Sequence, residues 1–454
     1  MSPEEREVLR RLATSKKKIF VVIRRKTVFF SCMKGLTKPE HAGLVAFIPE
    51  QNRGTISDHI RKCFDLVVFY DQSRNQFYDV DSYEDVRIPD KDAFGDQLVE
   101  VVGDKSKIEL LLTEESANRE VARLGERLGV KCVSPADVHR IQNKDLMIDA
   151  VKKSGIPTAR SIPICLSSAF STHQLLSQIE ERIGSYPVFI RPTSMADCNG
   201  TATIESQEEM RRWLDENRGK KQVCLIEEYL SGREWVAVVC LLNDGTFEPL
   251  LVRFLEFGWS NVLHIDTGHP LLLRMDTFDN AQHELPNIET FVSRVVAALR
   301  PPRPHIFTIQ GFQRKERSED YVFVECSYRP AGNRINSVCH KVCGVCQETA
   351  LFMSHMDPTY RPVVNKSAPN NEIYLWYPCQ KGVLEEYTPL PKENVSSEIT
   401  VKWLKPLGSL LSKAKLMSHQ MVYLTVKNDD PDKLLEEARW IADNWMPKLK
   451  PIVT

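Results

Sequence analysis

Leu225-Ile226-Glu227-Glu228-Tyr229-Leu230-Ser231-Gly232-Arg233-Glu234 runs from an apolar strand into a polar hinge and out again. The run Val223 to Glu227 before the hinge is strand-like, and Trp235 to Leu242 after it is a second strand. Asn243-Asp244-Gly245 then gives a turn between strands, so a hairpin is predicted there. Upstream, Tyr186-Pro187-Val188-Phe189-Ile190-Arg191-Pro192 holds another strand, Val188 to Arg191. Further upstream, Asn143-Lys144-Asp145 opens a helix that reaches Ser154 and stops at Gly155-Ile156-Pro157. Downstream, Arg300-Pro301-Pro302-Arg303-Pro304 is a rigid break. Two strand segments follow, Phe307 to Phe312 and Tyr321 to Glu325. The second continues as Val324-Glu325-Cys326-Ser327-Tyr328-Arg329-Pro330-Ala331-Gly332. This part of the chain reads as α+β with antiparallel sheets.

The first 140 residues have a different texture. Strand candidates are Ile19 to Ile23, Gly43 to Ile48, Asp65 to Tyr70 and Lys107 to Thr113, followed by a helical stretch, Glu114 to Leu128. Strands alternating with helices predict an open parallel α/β sheet. No Gly-x-Gly-x-x-Gly and no Walker A sequence is present, so a nucleotide would need another scheme. The tail opens with the apolar run Ile373 to Tyr377 and closes with a helix, Pro431 to Trp445.

The 454 residues exceed one ordinary core and suggest two to four domains. Sixty basic residues face sixty-one acidic ones, which gives no electrostatic case for nucleic acid or an anionic membrane as partner. The short basic runs Lys16 to Lys18 and Arg24 to Lys26 are expected to be solvated surface. The opening MSPEEREVLRRL lacks the apolar core of a signal peptide, and no run approaches a membrane span. The expectation is a cytoplasmic protein whose twelve cysteines are mostly reduced. Cys339, Cys343 and Cys346 have a spacing that can hold an iron–sulfur cluster. The same spacing is one face of a helix, and buried cysteine as a small hydrophobe is the preferred reading.

The ordered segments around Lys144, Arg191, Glu227 to Glu234 and Glu325 to Gly332 resemble the ATP-grasp superfamily over roughly residues 141 to 350. The resemblance implies a preATP-grasp-like α/β domain at 1–140, a two-lobed ATP-grasp domain at 141–360, and a small C-terminal lobe at 361–454 that completes the fold. It implies ATP and Mg²⁺ as cofactors, with Mn²⁺ as a substitute. Lys144 and Arg191 would supply cations to the phosphates, and Ser194, Asn199, Gly200 and Thr201 of the loop Thr193 to Thr201 would close over them. Glu228 and Leu230 match the adenine hinge, Glu227 beside them is counted with the cofactor-binding residues, and Glu234 matches the ribose position. Gln310, Glu325 and Ser327 match the metal set, and Arg329 matches a residue used on the substrate carboxylate or acyl phosphate.

The chain departs from the family's commonest pattern. Arg191 stands where Lys is commoner, Gln310 where an acid is commoner and Ser327 where Asn is usual; the first two changes are also similar to carbamoyl phosphate synthetase. His264 to Leu272 and the tail resemble the amino-acid ligase and carnosine synthase branch. That branch implies joining a small carboxylic acid to an amine through an acyl phosphate, often as a homodimer. His264, Asp266, His269 and Arg274 are candidates for the acceptor side. Two alternatives stay open: a non-catalytic nucleotide-binding regulator or scaffold, motivated by Gln310 and Ser327, and a carboxylase-type enzyme on the same fold.

Overall fold

The computed structural model describes residues 1–25, 32–54, 56–71, 86–258, 261–332, 335–367, 370–390 and 394–452. Four strands near the N-terminus, β1 (Lys18–Ile23), β2 (Ala42–Pro49), β3 (Leu66–Tyr70) and β4 (Ile108–Leu111), form a parallel sheet in the order β3-β2-β1-β4. Alternate residues of β1 enter different cores. Ile19, Val21 and Ile23 join one, and Phe20 and Val22 the other, so both faces are covered and the strand is apolar throughout. The helix Glu115–Leu128 follows β4 and ends at Gly129, whose φ of 67° supplies the left-handed stop. Glu114, predicted as its first residue, is the extended residue that precedes it.

A second sheet holds β5 (Ser161–Cys165), β6 (Val188–Pro192), β7 (Ala202–Ile204) and β8 (Val223–Glu228), antiparallel in the order β5-β8-β6-β7. Helices Thr172–Arg182 and Gln207–Asn217 seal one face with Leu175, Ile179, Met210 and Leu214. The third and largest sheet holds β9 (Arg233–Leu241), β10 (Phe247–Leu255), β11 (Leu271–Asp276), β12 (His305–Gln313) and β13 (Tyr321–Ser327). Three strands of the tail extend it: β14 (Glu372–Pro378), β16 (Glu398–Trp403) and β18 (Gln420–Lys427). Its order is β13-β12-β9-β10-β11-β14-β18-β16. Between them, β15 (Gly382–Leu384) and β17 (Ser409–Leu411) pair with each other. The helix Pro431–Asn444 lays Leu434, Ala438 and Ile441 against the tail strands.

One glycine fixes the register that matters. Gly311 of β12 lies so near Trp235 and the Val322 carbonyl that a Cβ would sit 2.4 and 2.6 Å from them. The β12–β13 pairing shifts between Gln310 and Gly311, which leaves Gln310 directly opposite Glu325.

Several expectations are corrected. Arg24 and Arg25 are not solvated surface. Arg25 is buried, and Arg24 Nε lies 3.6 Å from Glu114 beside the central cavity. Lys26 lies outside the described residues. Cys339 and Cys343 share the helix Ile335–Cys343, but Cys346 precedes the next helix, so the three do not form one helical stripe. All three are buried, and Cys339 and Cys343 belong to an apolar core, as the plainer reading held. Among the described residues no helix is long and apolar enough to cross a membrane.

Candidate active site

A cavity of about 400 Å³ opens where the second sheet faces the large one, and the parallel-sheet lobe closes its far end. Each wall contributes charge. The helix Lys144–Lys153 begins at the wall because Asn143 caps it, its side chain accepting from the Leu146 amide at 3.2 Å. The cap places Lys144 in the first turn, buried, with Nζ 3.5 Å from Glu325 and donating to the Met195 carbonyl. Arg191 comes from the end of β6 and is 5% exposed. It grips Glu227 through two nitrogens and also donates to Glu325 at 3.1 Å and to the Val324 carbonyl at 3.0 Å. The two sheets are thus tied together by a guanidinium.

Glu325 is the hub of these cations. Desolvation in the cleft acts to raise its carboxyl, but Lys144 and Arg191 outweigh that and hold it below the ordinary range. It therefore stays ionised at neutral pH. Across the β12–β9 pair, Gln310 donates to Glu234 at 2.6 Å, and Asn261 donates to the same oxygen at 2.8 Å. Burial pushes the Glu234 carboxyl up to about 7, against the pull of Arg253.

Arg253, from β10, is the residue that sequence reasoning missed. It lines the cavity, is 8% exposed, and makes no hydrogen bond or ion pair among the described residues. Burial lowers its pKa, with Glu234 opposing. The one signal available was a lone arginine inside the apolar run Leu250 to Leu255.

The far end mixes signs. Arg329 donates to Glu115 at 3.0 Å, and the Ser327 hydroxyl donates to the same Glu115 oxygen at 3.3 Å. Glu114 meets Arg24, and Glu348 lies near them on the cavity wall. Glu114 and Glu115 were read only as the start of a helix.

The cavity brings together Lys144, Arg191, Asn199, Thr201, Glu227, Glu228, Leu230, Glu234, Gln310, Glu325, Ser327 and Arg329 of the predicted set. Ser194 and Gly200 do not line it. Gly200 instead turns with φ 73° against Pro192, where a Cβ would come within 2.9 Å of the ring. The Glu228 side chain is held by Arg160 at 2.6 Å. His264, Asp266, His269 and Arg274 are not on the cavity wall. His264 is buried between the His269 carbonyl and Gln420, and Arg274 belongs to a separate ion network.

Comparison with known proteins bears on the fold that carries this cavity. The family described as D-ala D-ala ligase C-terminus matches residues 150–253. The L-amino acid ligase from Bacillus licheniformis superposes with a TM-score of 0.63 at 11% identity, over 94% of this chain and 98% of that one. The biotin carboxylase domain of the Hydrogenobacter thermophilus 2-oxoglutarate carboxylase, in complex with MgADP, ADP and bicarbonate, gives 0.60 at 15%, over 95% and 91%. The N5-carboxyaminoimidazole synthetase from Staphylococcus aureus, complexed with ADP, gives 0.59 at 13%, over 94% and 97%. No curated protein matches the sequence. The chain has the ATP-grasp fold.

Within the ATP-grasp fold the donor set suits a divalent cation that arrives with phosphates. Glu325 supplies one ionised carboxylate, Gln310 faces it across the strand pair, and Ser327 adds a hydroxyl two residues on. Mg²⁺ commonly takes one or two carboxylates and completes its shell with phosphate oxygens and water.

Proposed function

We propose that the chain is an ATP-dependent ligase that joins a small carboxylic acid to an amine through an acyl phosphate. The observation that carries this reading is Arg253. A buried guanidinium whose Nε has no hydrogen-bond partner, and which makes no ion pair beyond the field of Glu234, is costly unless an anion occupies the cavity in the working state. It faces the same cavity as Lys144 and Arg191, the cation pattern a polyphosphate requires.

In this reading Lys144, Arg191 and Arg253 hold the phosphate chain. Glu227, Glu228 and Leu230 border the adenine, and Glu234 takes the ribose. Glu325 with Gln310 and Ser327 holds Mg²⁺, which supplies charge neutralisation at the transferring phosphoryl group. Arg329 orients the carboxylate. A carboxylate oxygen attacks the γ-phosphorus, ADP leaves, and an amine then displaces phosphate from the acyl carbon with loss of a proton. The protein contributes position and fixed charge, and no covalent enzyme intermediate is needed. Residues 1–140, 141–360 and 361–454 are proposed as its three structural parts.

A second reading, a nucleotide-binding regulator without turnover, is favoured by two contacts. Gln310 spends its amide on Glu234, and Arg329 is already held by Glu115. Two measurements separate the readings. MgATP should raise the melting temperature, because a ligand selective for the folded state stabilises it. Phosphate release should then appear with some pair among mixed acids and amines. Binding without release under any pair favours the regulator; no thermal shift with any nucleotide removes both.

A further inference from the structure

The loop from Thr193 to Thr201 joins β6 to β7 and lines the cavity through Met195 to Asn199 and Thr201. Its tip is a tight turn: the Asn199 amide donates to the Ala196 carbonyl at 3.2 Å, and the central residues Asp197 and Cys198 have φ of 65° and 59°. Two consecutive positive φ values define the turn type that ordinarily demands Asn-Gly or Gly-Gly. An Asp-Cys pair adopts it at a cost, and such strain persists only where the surroundings impose it.

The surroundings are a turn of the tail. The Ser418 hydroxyl donates to Asp197 Oδ2 at 2.7 Å, and the Met417 amide points to the Asp197 carbonyl at 3.5 Å. Cys198 packs against the apolar core that contains Met417 and Trp376. The receiving turn is itself rigid. Its His419 amide donates to the Leu416 carbonyl at 3.0 Å, and the His419 carbonyl accepts from Cys379 at 2.9 Å. Buried Gln420 donates to the Met417 carbonyl at 2.7 Å and meets His264 at 3.0 Å, which gives that histidine its role. A strained loop therefore rests on a braced one.

We infer that Ser418 and Asp197 form a latch between the tail and the cavity loop, which makes Ser418 a positioning residue that sets how long the loop stays closed over a bound nucleotide. The inference rests on the nucleotide reading for its consequence but not for its geometry. With the latch in place, entry and exit of a polyphosphate require Asp197 to leave Ser418 and the turn to relax. Ser418 is exposed and far from the predicted phosphate cations in sequence, so removing its hydroxyl leaves the folded core intact.

The test uses the whole chain with Ser418→Ala, Ser418→Thr and Asp197→Ala. Without nucleotide, alkylation of Cys198 by iodoacetamide, read by mass spectrometry, should be about fivefold faster in Ser418→Ala and Asp197→Ala and unchanged in Ser418→Thr, in keeping with the net loss of one exposed hydrogen bond. Release of a fluorescent ADP analogue, read by stopped flow, should quicken by a similar factor, with the hydroxyl-bearing variant again unchanged. Equal alkylation rates in Ser418→Ala and the parent overturn the latch even if nucleotide binds. A parent that binds no ADP analogue, with alkylation still accelerated, leaves the latch standing and removes the nucleotide reading.

Discussion

Two groups of buried charge sit on opposite faces of the same strands, and they are completed differently. From β11, Arg274 reaches Glu256, Asp276 and Glu284, and from β9, Arg233 reaches Glu256 and Glu284. Both guanidiniums lie over the Phe254 ring, at 4.4 and 5.5 Å. Burial opposes the charge on Arg274, but its three carboxylates outweigh that and raise its pKa. One residue before Phe254, Arg253 points the other way, into the cavity, where its Nε has no hydrogen-bond partner and Glu234 opposes its charge without an ion pair. A saturated network explains its own persistence as structure. An unsaturated one, with Glu325 and Lys144 nearby, is explained by something that binds.

The largest effect should come from the centre of the cavity. Glu325→Gln removes the one ionised carboxylate shared by Lys144, Arg191 and the metal set. Turnover, measured as phosphate release, should fall at least about a thousandfold, roughly 4 kcal/mol of transition-state stabilisation. The melting temperature should fall as well, because Lys144 and Arg191 lose a shared carboxylate, but the chain should still fold, since Arg191 keeps Glu227. Turnover that survives this change removes the metal assignment.

Next come paired substitutions that set the two faces against each other. Arg274→Met takes the guanidinium from Asp276 and leaves Glu256 and Glu284 with Arg233 alone, and breaking a buried pair in this way costs about 3–5 kcal/mol. Arg253→Met removes a guanidinium that burial disfavours and takes from Glu234 only a charge with which it makes no ion pair, so denaturant stability should fall far less than in Arg274→Met. In exchange, affinity for MgATP should drop about tenfold to a hundredfold by calorimetry, in line with roughly 1.5–3 kcal/mol for a charged hydrogen bond. If Arg253→Met is the more destabilising of the two, the contrast between the faces is wrong.

The contrast also marks what a sequence can disclose. Strand periodicity and the hinge between β8 and β9 depend on near neighbours, so Lys144, Arg191, Glu234 and Glu325 could be aligned with an expected order. Arg253 was invisible for the opposite reason. Its meaning lies in a missing partner, and absence of a partner is a three-dimensional fact. Arg24 was misread because its burial is created by Glu114, ninety residues on, in a run that looks like exposed charge. The stripe predicted for Cys346 failed because the helix ends at Cys343, before Gly344 at φ 78°. The Asp197-Cys198 turn carries no Gly or Asn at its centre, so turn chemistry could not announce it.

Glu234 gives a pH signature of intermediate size. Its carboxyl titrates at about 7 in the folded chain against 4.5 ordinarily, because burial disfavours the charge. The raised value means that its contribution to stability is complete below about pH 4.5 and is lost as pH rises through about 7. A ligand whose hydroxyls donate to this carboxylate has the opposite preference. Nucleotide affinity should therefore rise by up to about tenfold per pH unit between pH 5 and 7, while the stability of the unliganded chain falls. Glu234→Gln should flatten both trends. If the affinity profile keeps its slope in that variant, the titrating group lies elsewhere.

The smallest effect belongs to Gln310→Glu, and it sharpens the question of why an amide stands opposite Glu325. Gln310 is a donor to Glu234 at 2.6 Å. An acid at that position must share a proton with Glu234, since two carboxylates at this separation do not both ionise readily. The shared proton should push Glu234 further up and weaken nucleotide binding severalfold at pH 7. Raising the pH to about 9 should restore it. At that pH a second ionised carboxylate faces the metal position, so half-saturation by Mn²⁺, followed by electron paramagnetic resonance in the presence of ADP, should need severalfold less metal than in the parent. Tighter metal with weaker nucleotide at neutral pH would mean that the amide is tuned to Glu234 rather than a remnant of a lost activity. Unchanged metal affinity at high pH would mean that residue 310 never faces the ion, and Glu325 would be left to hold it with the phosphates alone.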